Sequence, residues 1–185
     1  MKNEYQKNLE QFKKDLQCLS HQTIIDIRDI LMDRSIVYQY KRTNADIVVY
    51  LFEYDFELLD LTFFGLDKNL SQYTEHISIP STFPEEDWKT ITRNSIYNFE
   101  SEKTMKRYDE NVDQDESSSF DDYFDEKNEA FENWFLDCWK EASQGIELDK
   151  GLYFSIHDTG ERLDLSSMTE VSEQEIINRL NASAG

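Results

Sequence analysis

Two carboxylates that share a proton can activate water, and Asp158-Thr159-Gly160 is a tripeptide that presents such a carboxylate. The chemistry needs two copies, because one aspartate has no partner to split the two pKa values apart. The 185-residue chain holds a single Asp-Thr-Gly, and the same tripeptide is an ordinary hairpin turn. His157 precedes it and Glu161 follows, so a cleft containing His157, Asp158 and Glu161 could hold a general base. No nucleophile motif accompanies them, and a turn histidine bonded to its neighbour accounts for the same residues.

Asp109-Glu110-Asn111-Val112-Asp113-Gln114-Asp115 places oxygen ligands at alternate positions, as a calcium loop does. Counted from Asp109, the sixth position is Gln114 where the turn needs glycine. The twelfth is Phe120 where the ion needs a bidentate glutamate. His21, His76 and His157 show no metal-ligand spacing, and Cys18 and Cys138 stand far apart. The glycines at 65, 145, 151, 160 and 185 are too scattered for a phosphate-cradling loop. The sequence thus predicts no metal, no cofactor and no catalytic residue, and the chain reads as a non-enzyme.

What remains is charge. Thirty-nine acidic and 19 basic residues give a net charge of −20. Residues 109–137 hold twelve acids against Lys127 alone, and residues 43–67 hold six acids and no base. Residues 1–42 and 89–108 are by contrast slightly basic, at +2 and +3. The acid is a patch. It repels nucleic-acid phosphates and anionic membranes, so neither direct nucleic acid nor a membrane is expected as a partner. A basic protein is the expected partner. The candidate partner-binding residues are Asp109, Glu110, Asp113, Asp115, Glu116, Asp121, Asp122, Tyr123, Asp125 and Glu126. Phe120, Tyr123 and Phe124 would anchor the contact. A solvated helix face beside an acidic loop is the plainer account of the same charges.

Those residues need positioning elements. Tyr5, Leu9, Phe12, Leu16 and Leu19 recur at helical spacing, and Ser20 could break that helix and recap a second one carrying Ile24, Ile27 and Leu31. Residues 36–40 and 46–58 are β-rich, with strict alternation from Phe52 to Leu58 and a bend or hairpin expected near Tyr54 to Glu57. A short strand is expected from Glu75 to Ile79, and a helix starting at Pro84 carries Trp88, Ile91, Ile96 and Tyr97. Residues 98–119 read as an exposed acidic loop. Ser118 or Ser119 would cap the next helix, whose stripe runs from Phe120 to Trp139 and stops near Gly145. A hairpin of 152–156 and 162–165, turned at 158–160, precedes a closing helix capped by Ser172 and Glu175. The expected fold is α+β, an antiparallel sheet with helices mainly on one face, in a single domain over residues 1–185.

Met1-Lys2-Asn3-Glu4-Tyr5-Gln6-Lys7 has no apolar signal core, and no run reaches 18 apolar residues. A cytoplasmic protein with two reduced, buried thiols is expected.

A small, acidic α+β domain with this helix, hairpin and capped-helix rhythm, from Trp139-Lys140-Glu141-Ala142 through Leu152-Tyr153-Phe154-Ser155-Ile156-His157-Asp158 to Leu163-Asp164-Leu165, resembles the immunity proteins of bacterial toxin systems. The resemblance implies a protein that binds a cognate toxin and neutralises it, the acidic stretch imitating phosphates in a basic cleft. Two other classes fit the same residues: a regulatory or DNA-mimic adaptor for another basic protein, and an enzyme with the His157, Asp158 and Glu161 cleft.

Overall fold

The computed structural model describes residues 2–55, 60–82, 99–100, 102–104, 114–156 and 161–183. The fold is α+β, built from helices and a mostly antiparallel six-stranded sheet. The chain divides into a helical unit, Met1–Ile25 with Thr82–Ala142, and a sheet unit, Asp26–Ser81 with Ser143–Gly185.

Helix α1 spans Lys2–Leu31 without interruption. The buried positions Tyr5, Leu9, Phe12, Leu16, Leu19, Thr23, Ile27 and Ile30 follow one another at steps of three and four. The break expected at Ser20 does not occur. Its hydroxyl donates back to the Leu16 carbonyl at 3.3 Å, a bond that leaves the helix intact. The helix stops where Asp33 turns left-handed at φ 56° and donates its N–H to the Ile30 carbonyl.

Helix α2 spans Gln114–Ala142. Its described part opens at Gln114, ahead of the expected Ser118 or Ser119 cap. Of the segment read as a loop, the described residues 99–100, 102–104 and 114–119 are helical, and the rest lies outside the described residues. The helix expected from Pro84 lies outside them too. Gly145 follows α2 at φ 75°, a conformation that costs glycine little.

The sheet runs β3-β2-β1-β4-β5-β6. Its strands are β1 Val49–Asp55, β2 Asp60–Leu66, β3 Ile77–Ile79, β4 Gly151–Ile156, β5 Glu161–Asp164 and β6 Thr169–Ser172. The long β-rich segment is therefore a hairpin, with Asp55 opposite Asp60 and the connecting residues outside the described ones. One pair departs from the antiparallel expectation: β1 and β4 run parallel, Val49 opposite Gly151. With a strand on either side, β1 is central and buried on both faces from Val49 to Phe52, which is why it opens as a continuous apolar run. Tyr50, Phe52 and Tyr54 share one face with Leu61 and Phe63. Val49 and Leu51 share the other with Leu66, Tyr153 and Val171, and there α3, Glu173–Ser183, packs through Ile176 and Leu180.

The expected strand at 36–40 reduces to one bridge, Tyr38 to Thr74. Tyr40 and Lys41 lie at φ 53° and 60°, which no strand accommodates. Asn44 instead ties the segment down by donating to the hydroxyls of Tyr38, at 3.1 Å, and Tyr50, at 3.0 Å. β6 was not anticipated. The buried Asp164 shapes the turn before it, accepting from the backbone of Ser166 at 2.9 Å and from Arg179 at 2.8 Å. The closing cap is the expected one. Ser172 N–H donates to Glu175 at 2.8 Å and Glu175 N–H donates to the Ser172 hydroxyl at 3.3 Å. The Ser172 N–H, and its hydroxyl at 2.9 Å, both donate to the Glu175 carboxylate and hold it below its ordinary range.

Candidate functional site

The acids predicted to bind a partner fall into three groups. Asp109, Glu110 and Asp113 lie outside the described residues, as do His157 and Asp158. Asp115 and Glu116 lie within α2. Asp121, Asp122, Asp125 and Glu126 are exposed along the next two turns. The helical period brings Glu129, Asp137 and Glu141, all exposed, onto the same flank as Glu126. Among the described residues, Asp122, Asp125, Glu126, Glu129, Asp137 and Glu141 form no ion pair.

Tyr123 corrects the expectation. It is 4% exposed, and Phe120 is 7% exposed. Both belong to a cluster with Tyr5, Leu9 and Phe99, in which the Tyr5 and Tyr123 rings stand 5.4 Å apart. They are core residues of the helical unit and unavailable as anchors, because the helix that carries the acid must bury an apolar stripe on its other side.

Lys127 sharpens the patch. It is the single base among residues 109–137, and its side chain is 1% exposed. Its ammonium meets Glu100 at 2.6 Å, between the rings of Phe12 and Phe124 at 5.6 and 5.5 Å. Tyr123 donates its hydroxyl to the same Glu100 oxygen at 3.2 Å. Burial pushes the Lys127 pKa down against the opposing pull of Glu100. The surface of α2 over this stretch therefore carries no base to offset its acids.

Sequence reasoning missed what lies beside those acids. A groove of about 790 Å³ runs between α1 and α2 inside the helical unit. Leu16, Ile24, Ala130 and Trp134 line it, and Lys13, Glu126, Glu129, Asp137 and Glu141 add charge. Trp134 spends its indole N–H on the Ser20 hydroxyl at 2.9 Å, so the ring offers the groove only its carbon face. The available signal was the pairing of a half-apolar flank, Ala130 and Trp134, with acids one turn away on either side. A smaller hollow of about 200 Å³, lined by Tyr5, Gln6, Leu9, Ser119, Asp122, Tyr123 and Glu126, lies nearer the start of α2.

Cys138 sits in the groove wall, 2% exposed, and burial pushes its thiol up to about 11. Cys18 is exposed, against the expectation that both thiols are buried, because it falls on the polar side of α1. A thiol reagent at pH 8 should therefore label one cysteine per chain quickly in the native protein. Cys138, about a thousandth ionised there, should react only after denaturation. Rapid labelling of a Cys18→Ser variant would contradict this assignment.

Glu161 opens β5 and is exposed, and the rest of the proposed His157 cleft lies outside the described residues. His76 packs edge-on to Phe64, ring centroids 5.0 Å apart. Among the described residues, no three His, Cys, Asp or Glu side chains converge as a metal site would require, and no helix is long and apolar enough to cross a membrane. No family model matches the chain, and comparison with curated proteins and with solved structures gave no match.

Proposed function

We propose that the protein is an acidic binding protein that engages a basic partner protein through the carboxylate flank of α2, and that the partner is a toxin it neutralises in the manner of immunity proteins. The observation that carries this reading is the set of exposed carboxylates Asp122, Asp125, Glu126, Glu129, Asp137 and Glu141, none in an ion pair among the described residues, on a helix whose Lys127 is withdrawn into the core and leaves Lys140 as the exposed base beside them. Exposed acids concentrated on one helix raise the rate at which a basic protein finds the surface and complement its lysines and arginines once bound. The same charge disfavours a nucleic acid as the direct ligand. The toxin assignment rests on the resemblance in fold class and acidity.

The test uses immobilised protein and extract of its native cell, together with the purified product of any toxin gene beside its own. A basic protein should be retained at low salt and released at high salt. A variant carrying Asp122→Asn, Asp125→Asn, Glu126→Gln and Glu129→Gln should lose it. Acids at the rim of the contact should act mainly through the association rate, whereas one buried against a partner cation should be worth roughly 2–5 kcal/mol. Equal retention by the neutralised variant would sink the reading.

A further inference from the structure

We propose that the groove between α1 and α2 seats a basic amphipathic helix of the partner protein. This rests on the binding reading above and specifies its contact.

The groove follows α1 from Lys13 to Ile24 and α2 from Glu126 to Glu141. At about 1.5 Å per residue its walls run roughly 17–22 Å, the length of three to four helical turns. Both walls are helices, whose backbone groups are already bonded along their own axes. Such walls offer no strand edge for an extended peptide to pair with, so a third helix laid between them is the matching mode.

Chemistry fixes the face and sign of that helix. Leu16, Ile24, Ala130 and Trp134 supply apolar contact. The Trp134 indole N–H is already committed to Ser20, so the ring demands no polar partner, and its π face attracts cations. Along the same groove stand the carboxylates of Glu126, Glu129, Asp137 and Glu141 against the single ammonium of Lys13, none of them in an ion pair among the described residues. An acidic or phosphate-bearing ligand would meet four like charges. A helix with an apolar stripe flanked by lysine or arginine meets contact and charge together.

A probe of that chemistry can be made. A fluorescein-labelled peptide of roughly 14 residues, leucine on one helical face and lysine on the other, matches the groove length. Its comparison is a peptide of identical composition in scrambled order, which keeps the charge and loses the apolar face. Fluorescence anisotropy is measured with the full chain and two variants whose folding is checked by circular dichroism. Glu129→Lys/Asp137→Lys alters the groove, and Asp122→Lys/Asp125→Lys makes the same charge change outside it. The amphipathic peptide should bind the native chain at least about tenfold tighter than its scrambled isomer. The groove variant should lose at least about tenfold, and the outer variant less than about threefold. If the two peptides bind alike, or the outer variant loses as much as the groove variant, the groove proposal falls while the acidic-surface reading stands. If neither peptide binds at low salt, both fall.

Discussion

Replacing Lys127 by methionine will destabilise the helical unit by about 3–5 kcal/mol, as expected when one member of a buried ion pair is removed. Methionine fills the space of the lysine stem. Among the described residues, it leaves Glu100, whose side chain is 12% exposed, with only the Tyr123 hydroxyl for a partner. The cost should therefore come from the stranded carboxylate and not from lost volume. Adding Glu100→Gln removes that charge and keeps an acceptor for Tyr123, so Lys127→Met/Glu100→Gln should return to within about 1 kcal/mol of the native chain. Urea denaturation of the two single variants and the double settles it, and a double variant no more stable than Lys127→Met would refute the account. The pH dependence has a definite sign. Burial holds the Lys127 pKa below its ordinary 10.5. Between the two values the unfolded chain binds the extra proton, so this group makes stability rise with pH across that window. In Lys127→Met that contribution should disappear.

Lys127 also shows where reading the sequence stops. A lysine inside an acidic run looks like a surface residue relieving like charges. Its burial depends on Glu100, 27 positions earlier, and local pattern cannot reveal a partner at that distance. Tyr123 is misread for the same reason: only the helical phase, set by what α2 packs against, decides whether an aromatic among acids faces out or in. Patterns closed within a few residues were legible. The Ser172 and Glu175 cap is three residues long and came out as expected. The stripe of α1 and the pairing of β4 with β5 were equally readable, whereas the parallel contact of β1 with β4 joins residues 102 positions apart and leaves no local trace.

The acid and the groove are two sides of one feature of α2. A helix with a narrow apolar stripe would leave its acids as a solvated coat. Here the apolar character extends past the buried line of Phe131, Phe135 and Cys138 onto Ala130 and Trp134, which face the groove. Carboxylates bordering apolar surface differ from carboxylates in open water, because a partner covering that surface excludes solvent and strengthens each charge contact. That contrast is why the groove acids, and not Asp122 and Asp125, should dominate affinity.

Gly65→Ala will cost the sheet unit about 1–3 kcal/mol through overpacking alone. A Cβ on Gly65 would stand 2.6 Å from Thr74 Cγ2 and 3.3 Å from Ile47 Cγ2. Thr74 is fully buried and cannot swing aside, because its hydroxyl accepts the Gly65 N–H at 2.9 Å. The backbone on either side is pinned as well: Tyr73 N–H donates to the Gly65 carbonyl at 3.0 Å. The clash is with one methyl group, so the remedy is specific. Thr74→Ser removes Cγ2 and keeps the hydroxyl. Alone it should cost about 1 kcal/mol for the lost methyl. Combined with Gly65→Ala it should recover most of the loss, a favourable coupling of about 1 kcal/mol or more in a double-mutant cycle. Thr74→Val, which keeps the clashing methyl and removes the acceptor, should give no rescue and add the penalty of an unbonded N–H. If serine and valine rescue equally, the glycine is required for something other than room for the Thr74 methyl.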